Sequence, residues 1–189
     1  MLHFPISYKP ELNLSQYEVL HEYKNVITEN IADDLISLAS NDMGWHRRGA
    51  KSVNVSAQFS TVQLHDSTHE VYPIMDNLWK EFTDRYHYKI DFVEYLEVKG
   101  YSIGDHFDPH VDVHGNVNET LDRKLNMIIQ LSDSKDYEGG DLYVRNMPAT
   151  RERCSAIIFP ASYSHHVTKI VSGMRYCLIG HAWGHVYRK

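Results

Sequence analysis

Apolar positions recur along this chain with two different periods, and the change comes near residue 90. Ile31, Leu35 and Leu38 fall at i, i+4 and i+7, the single apolar stripe of a helix packed on one side. Thr28 stands before them as an N-cap, Asp33 and Asp34 suit the early turns, and the pattern fades between Asn41 and Gly44. Val53, Val55, Ala57 and Phe59 alternate with Asn54, Ser56 and Gln58, which predicts a half-buried strand. A second stripe, Val71, Met75, Leu78 and Phe82, predicts a helix from about His69 to Tyr86. Residues 16–27, with Tyr17, Val19, Leu20, Tyr23, Val26 and Ile27, read as an opening strand or irregular segment. Both helices are expected to back one face of a sheet.

Beyond Ile90 the helical period gives way to short strands. The segments Phe92–Val98, Val111–Val113, Leu125–Leu131, Asp141–Arg145, Ala156–Phe159, His165–Ile170 and Arg175–Ala182 are separated by turn residues. Those are Gly100, Gly104, Gly115-Asn116, Gly139-Gly140, Pro148, Pro160 and Gly173. Many short strands at this spacing predict a sandwich or barrel. The 189 residues suit one mainly β domain with flanking helices, a helical part over about 1–90 and a β core over about 91–185.

Composition narrows the setting. A net charge of −6 disfavours a nucleic-acid partner, since neutralising phosphates needs a basic face. Residues 1–14 mix Pro5, Lys9, Pro10 and Glu11 without an apolar run, so neither a signal peptide nor a membrane span is expected there. Cys154 and Cys177 are the only cysteines and suit a reducing, cytoplasmic setting without a disulfide framework.

The candidate chemistry lies in His110-Val111-Asp112 and His165. Side chains two apart on a strand share a face, and a histidine from a distant strand completes two imidazoles and one carboxylate. That donor set holds non-haem Fe(II) while leaving other positions open. With thirteen histidines in the chain, such a match alone is weak. His106-Phe107-Asp108 repeats the spacing, but Pro109 cannot donate to a ladder and favours a loop or edge up to that point. His106 and Asp108 are therefore expected on a solvated or substrate-facing loop. His69, opening His69-Glu70-Val71-Tyr72-Pro73, is expected to be a surface histidine at a helix start.

The surrounding order is Tyr101-Ser-Ile-Gly104-Asp-His-Phe107-Asp-Pro-His110-Val-Asp112, then Tyr137-Glu-Gly139-Gly140-Asp-Leu142, Phe159-Pro160, His165-His166-Val167 and Gly173-Met-Arg175. It resembles the 2-oxoglutarate- and Fe(II)-dependent oxygenases of the prolyl 4-hydroxylase type, their bacterial and phage branch in particular. The resemblance is close over roughly the last hundred residues. It implies a double-stranded β-helix, or cupin-like jelly roll, with His110, Asp112 and His165 as metal ligands. His165 is preferred over His166 because His-x-Val then begins at His165. Arg175 would hold the distal carboxylate of 2-oxoglutarate, which a guanidinium matches bidentately. Fe²⁺, Asp112 and Arg175 would together balance the doubly negative co-substrate, as a buried site requires. Tyr101 would line the co-substrate pocket, although a packed core tyrosine is the rival reading. Gln130 stands where relatives often place a second tyrosine and could donate to the same carboxylate.

Arg123 suits either substrate contact or a loop flank, and the polar run Val113–Asp122 a mobile lid. The implied reaction consumes O₂ and 2-oxoglutarate, with ascorbate as an accessory reductant, yields succinate and CO₂, and hydroxylates a C–H bond. By analogy the favoured substrate is a prolyl residue in a protein or peptide. A free amino acid or other small molecule, or a non-catalytic metal-binding scaffold on the same fold, stay open.

Overall fold

The computed structural model describes residues 20–41, 46–51, 56–113 and 120–185. In chain order the elements are β1 (His21–Tyr23), α1 (Glu29–Asn41), β2 (His46–Lys51), β3 (Ser56–Gln63), α2 (Val71–Tyr86), β4 (Phe92–Val93), β5 (Glu97–Tyr101) and β6 (His106–His110). There follow β7 (Leu121–Gln130), β8 (Tyr137–Gly139), β9 (Leu142–Val144), β10 (Met147–Pro148), β11 (Ala156–Pro160), β12 (His165–Val167), β13 (Ile170–Gly173) and β14 (Arg175–His185). Twelve strands form one antiparallel sheet whose main path runs β1-β11-β7-β14-β5-β3-β6-β12-β9-β10, with β2 on β3 and β4 on β14. β13 and β8 make a separate pair. This is the expected fold class, a mainly β jelly roll with flanking helices.

Alternation along β7 and β14 separates two cores. Leu125, Met127 and Ile129 of β7 join Leu178 and Ala182 of β14, Leu35 of α1 and Met75, Trp79 and Phe82 of α2. Ile128, Cys177 and Ile179 point to the opposite face and pack with Phe59, Tyr101, Leu142, Phe159 and Val167 inside the roll. α2 lies so close to the sheet that a Cβ on Gly180 would come within 3.0 Å of Leu96 and 3.1 Å of Met75.

The helix signals act locally. The Thr28 hydroxyl accepts the Ile31 N–H at 3.3 Å, as an N-cap does. His69 is not simply a surface residue: its Nδ1 accepts the Val71 N–H at 3.1 Å, and its Nε2 lies 3.1 Å from Asp34 on α1. Pro73 falls in the first turn of α2, where a missing N–H costs nothing. Among the described residues no helix is long and apolar enough to cross a membrane.

Several expected boundaries move. Val111–Val113 is not a strand; the strand is β6, and it contains Pro109. β6 lies between β3 and β12, but its register with β12 shifts between the pairs His165↔His110 and Val167↔Phe107. Asp108 and Pro109 fall in that irregularity, where no ladder hydrogen bond is required of proline. The expected strands Phe92–Val98 and His165–Ile170 each divide in two. β2, β8 and β10 were not foreseen. Tyr17, Val19, Val53, Val55, the turn Gly115-Asn116 and most of the polar run expected as a lid lie outside the described residues.

Candidate metal centre

β6 and β12 set His110 and His165 opposite each other as register partners, with ring centroids 4.2 Å apart. Asp112 comes from irregular backbone just past β6, and its N–H is fixed to Ala161 O at 2.9 Å. Asp112 Oδ1 lies 3.7 Å from His110 Nε2, and Oδ2 lies 3.2 Å from His165 Nε2. One donor atom from each of the three residues fits within 4.8 Å, a group that could hold a metal ion.

Both imidazoles are prepared for that task. His110 Nδ1 meets Asp108 O at 2.8 Å, and His165 Nδ1 meets Tyr163 O at 3.1 Å. A carbonyl only accepts, so each Nδ1 carries the proton and each Nε2 keeps its lone pair toward Asp112. Phe107 stacks on His110 at 3.7 Å between centroids, and Phe159 meets the His165 ring at 5.0 Å. Burial, helped by His165, pushes His110 down to about 4, so the ring is neutral near pH 7. Burial alone would raise Asp112. Once the imidazoles are protonated, a hydrogen bond from His165 and the charges of His165, His181 and His110 outweigh it and hold the carboxyl well below its usual range. Two imidazole nitrogens and one carboxylate on one side make up a 2-His-1-carboxylate donor set, and Fe(II) fits them.

Two further residues, not singled out in the sequence, complete the surroundings of Asp112. Asn126 Nδ2 donates to Asp112 Oδ2 at 2.7 Å, and Asn126 Oδ1 lies 2.9 Å from His181 Nδ1. Burial, then the neighbouring Arg123, pushes His181 down to about 3, so it too is neutral. Arg123 clasps Glu94 through Nε at 3.1 Å and Nη2 at 2.8 Å, with Nη1 3.8 Å from Asp112 Oδ1.

The cavity over this cluster has a volume of about 190 Å³; apolar Phe59, Ile128, Leu142 and Ile179 share its wall with Lys99 and Tyr101. Arg175 is not part of that wall. It is 1% exposed, with its guanidinium carbon 5.4 Å from the Tyr101 ring centroid. Arg175 Nη2 donates to Gln130 Oε1 at 3.0 Å, and Gln130 Nε2 donates to Thr150 O at 2.9 Å. Gln130 therefore turns its carbonyl to the arginine and one amide N–H away to Thr150. Arg175 Nε and Nη1 and the neighbouring Tyr137 hydroxyl are buried without a hydrogen bond of good geometry among the described residues, the guanidinium and the phenol meeting only loosely. Unpaired buried donors on a cation are costly, and a carboxylate would satisfy them. These donors would fit a carboxylate such as the distal one of 2-oxoglutarate.

His106 and Asp108 sit on β6, not on a loop. His106 Nε2 lies 3.2 Å from Ser56 Oγ, and Asp108 Oδ2 accepts the Ser56 N–H at 2.9 Å, so both secure the start of β3. His166 turns away from the cluster and stacks on Tyr143 at 5.0 Å.

Residues 95–183 match the model of the 2OG-Fe(II) oxygenase superfamily, and the cluster lies inside that match. Over these residues the chain is similar to a 2OG-Fe(II) oxygenase domain. A PKHD-type hydroxylase of Caulobacter sp. is 36% identical over 80 residues, which cover 40% of this chain and 35% of the relative. A PKHD-type hydroxylase of Rhizorhabdus wittichii is 33% identical over 85 residues, 41% of this chain and 37% of the relative. The matched region thus spans about a third of the length of these relatives. Among solved structures, the viral collagen prolyl hydroxylase of Paramecium Bursaria Chlorella virus-1 superposes with a TM-score of 0.69 at 14% identity, covering 90% of this chain and 98% of that one. A prolyl-4-hydroxylase of Pseudomonas putida gives 0.69 at 11% identity, covering 90% and 94%. At such identities the superpositions speak to the fold.

Proposed function

We propose that the chain is an Fe(II)- and 2-oxoglutarate-dependent dioxygenase that hydroxylates a C–H bond, with a prolyl residue of a protein or peptide as its favoured substrate. The observation that carries this reading is one pairing. A two-imidazole, one-carboxylate group shares a cavity wall with Tyr101, and beside Tyr101 lies a buried arginine whose Nε and Nη1 lack a hydrogen bond of good geometry among the described residues.

In this reading His110 and His165 hold the metal through Nε2, and Asp112 contributes the one negative charge. When bound, the iron and 2-oxoglutarate supply the oxidative decarboxylation that yields succinate, CO₂ and hydroxylated substrate. Arg175 takes the distal carboxylate, and Gln130 fixes the plane of its guanidinium. Tyr101 lines the metal cavity and stands beside Arg175; burial, then Cys177, pushes its hydroxyl up, so it remains a neutral phenol. Apolar Ile128, Leu142 and Ile179 keep water from the reacting centre.

A wider groove of about 680 Å³, lined by Tyr72, Phe92 and Tyr95, shares Glu97 and Arg123 with the metal cavity. An extended peptide lying there would present one side chain to the metal. The named activity of the relatives also favours a hydroxylase, and both buried cysteines, free of disulfides, suit a cytoplasmic enzyme. The test is mass spectrometry of proline-containing peptides after incubation with the protein, Fe(II), O₂ and 2-oxoglutarate. A gain of one oxygen on proline supports the proposal. Oxidation of a free amino acid with no peptide modified would transfer the substrate to small molecules.

A further inference from the structure

Given the metal site proposed above, we infer that Asn126 and His181 are positioning residues, a hydrogen-bonded chain that holds Asp112 in its ligating orientation. Asn126 projects from β7 into the roll and is 1% exposed. Its Nδ2 reaches Asp112 Oδ2 at 2.7 Å and its Oδ1 meets His181 Nδ1 at 2.9 Å. His181 does not belong to the group that could itself hold an ion, and the Asn126 amide is turned to Asp112 and His181. Their action on a metal is therefore indirect.

Elementary chemistry fixes the direction of every bond in the chain. An ionised carboxylate only accepts, so Asn126 must turn its NH₂ to Asp112 and its carbonyl to His181. That carbonyl only accepts, so His181 must donate from Nδ1. Its Nε2 is then left as an acceptor in a residue that lines the cavity. A flipped amide would set carbonyl oxygen against carboxylate oxygen, which no tautomer of His181 relieves. His181 thus holds the amide from its far side, and the amide holds the carboxylate.

The consequence for the site is specific. Oδ2 of Asp112 is gripped by a neutral amide, while Oδ1 lies 3.7 Å from His110 Nε2 and 3.8 Å from Arg123 Nη1. A neutral donor restrains rotation of the carboxylate without cancelling the charge that the metal needs. Partners of this kind commonly govern affinity by about 10–100-fold.

Cobalt(II) titration of the full chain tests this without turnover. Asn126→Leu and His181→Phe are expected to weaken Co(II) by about 10–100-fold and to shift the visible band of the bound ion. His181→Gln retains an N–H for Asn126 and should recover most of the affinity. Circular dichroism and thermal melting of the metal-free variants separate a structural effect from a positioning one. Lower melting temperatures with unchanged Co(II) affinity would overturn the inference. Should Asn126→Leu fail to fold, the contrast between His181→Phe and His181→Gln decides by the same criterion. If the unmodified chain binds no Co(II), the proposed metal site fails, and this inference with it.

Discussion

Tyr101 and Arg175 are register partners across β5 and β14, and the guanidinium carbon lies 5.4 Å from the tyrosine ring centroid. Tyr101 lines the metal cavity, and Arg175 does not. Arg175→Ala is expected to retain the metal but weaken 2-oxoglutarate by about 2–5 kcal/mol, since a buried carboxylate would lose its charge partner. Calorimetric titration of the metal-loaded variant measures this. An unchanged dissociation constant would assign the carboxylate to another cation, with Lys99 on the cavity wall the first candidate.

His165 and His166 offer a binary test. His165 Nε2 lies 3.2 Å from Asp112, whereas His166 stacks on Tyr143 on the other face of β12. His165→Ala should abolish tight Fe(II) or Co(II) binding, and His166→Ala should preserve it. Metal content after dialysis distinguishes the two, and the reverse pattern would move the ligand by one residue.

Acid should destabilise the metal-free protein in a defined window. His110 and His181 are held neutral in the fold, down to about 4 and about 3, whereas in the unfolded chain they protonate near 6.5. Between those values the unfolded state binds more protons, so stability falls as pH falls from about 6.5 toward 4. For His110 the full cost is on the order of 3 kcal/mol. Melting temperatures in chelator should drop between pH 7 and 5, above the range where ordinary carboxylates titrate. A flat profile there would contradict the neutral, buried imidazoles.

Gly140 has φ +65, and a Cβ there would come within 2.3 Å of Ile170 Cδ1 and 3.2 Å of Arg175 Cδ. Gly140→Ala therefore combines backbone strain with overpacking beside the arginine, about 2–4 kcal/mol in total. Gly104, at φ +88 with nothing within 4 Å of an added Cβ, should cost only the strain. Urea denaturation of both alanine variants measures the difference. Equal losses would show that packing against Arg175 is not tight.

What the sequence disclosed follows from where local pattern and final environment agree. The strand Leu125–Leu131 was legible because it is apolar on both faces, which enter two different cores. Pro109 misled because a bulge, invisible in sequence, removes the need for its missing N–H. β2 reads His-Arg-Arg-Gly-Ala-Lys, with no alternating apolar set, and its strand form comes from pairing with β3. Asn126 and His181 carried only a weak signal, a polar residue interrupting the inward face of a strand. Their meaning depends on Asp112, which arrives from elsewhere in the fold.

The most direct measurement is succinate formation from 2-oxoglutarate by the purified chain under O₂ with Fe(II). Succinate is expected with the metal present, slowly without the prime substrate, and absent with His165→Ala. An iron-loaded chain that neither binds 2-oxoglutarate nor forms succinate with any peptide or amino acid would contradict the account and leave a metal-binding scaffold on an oxygenase fold.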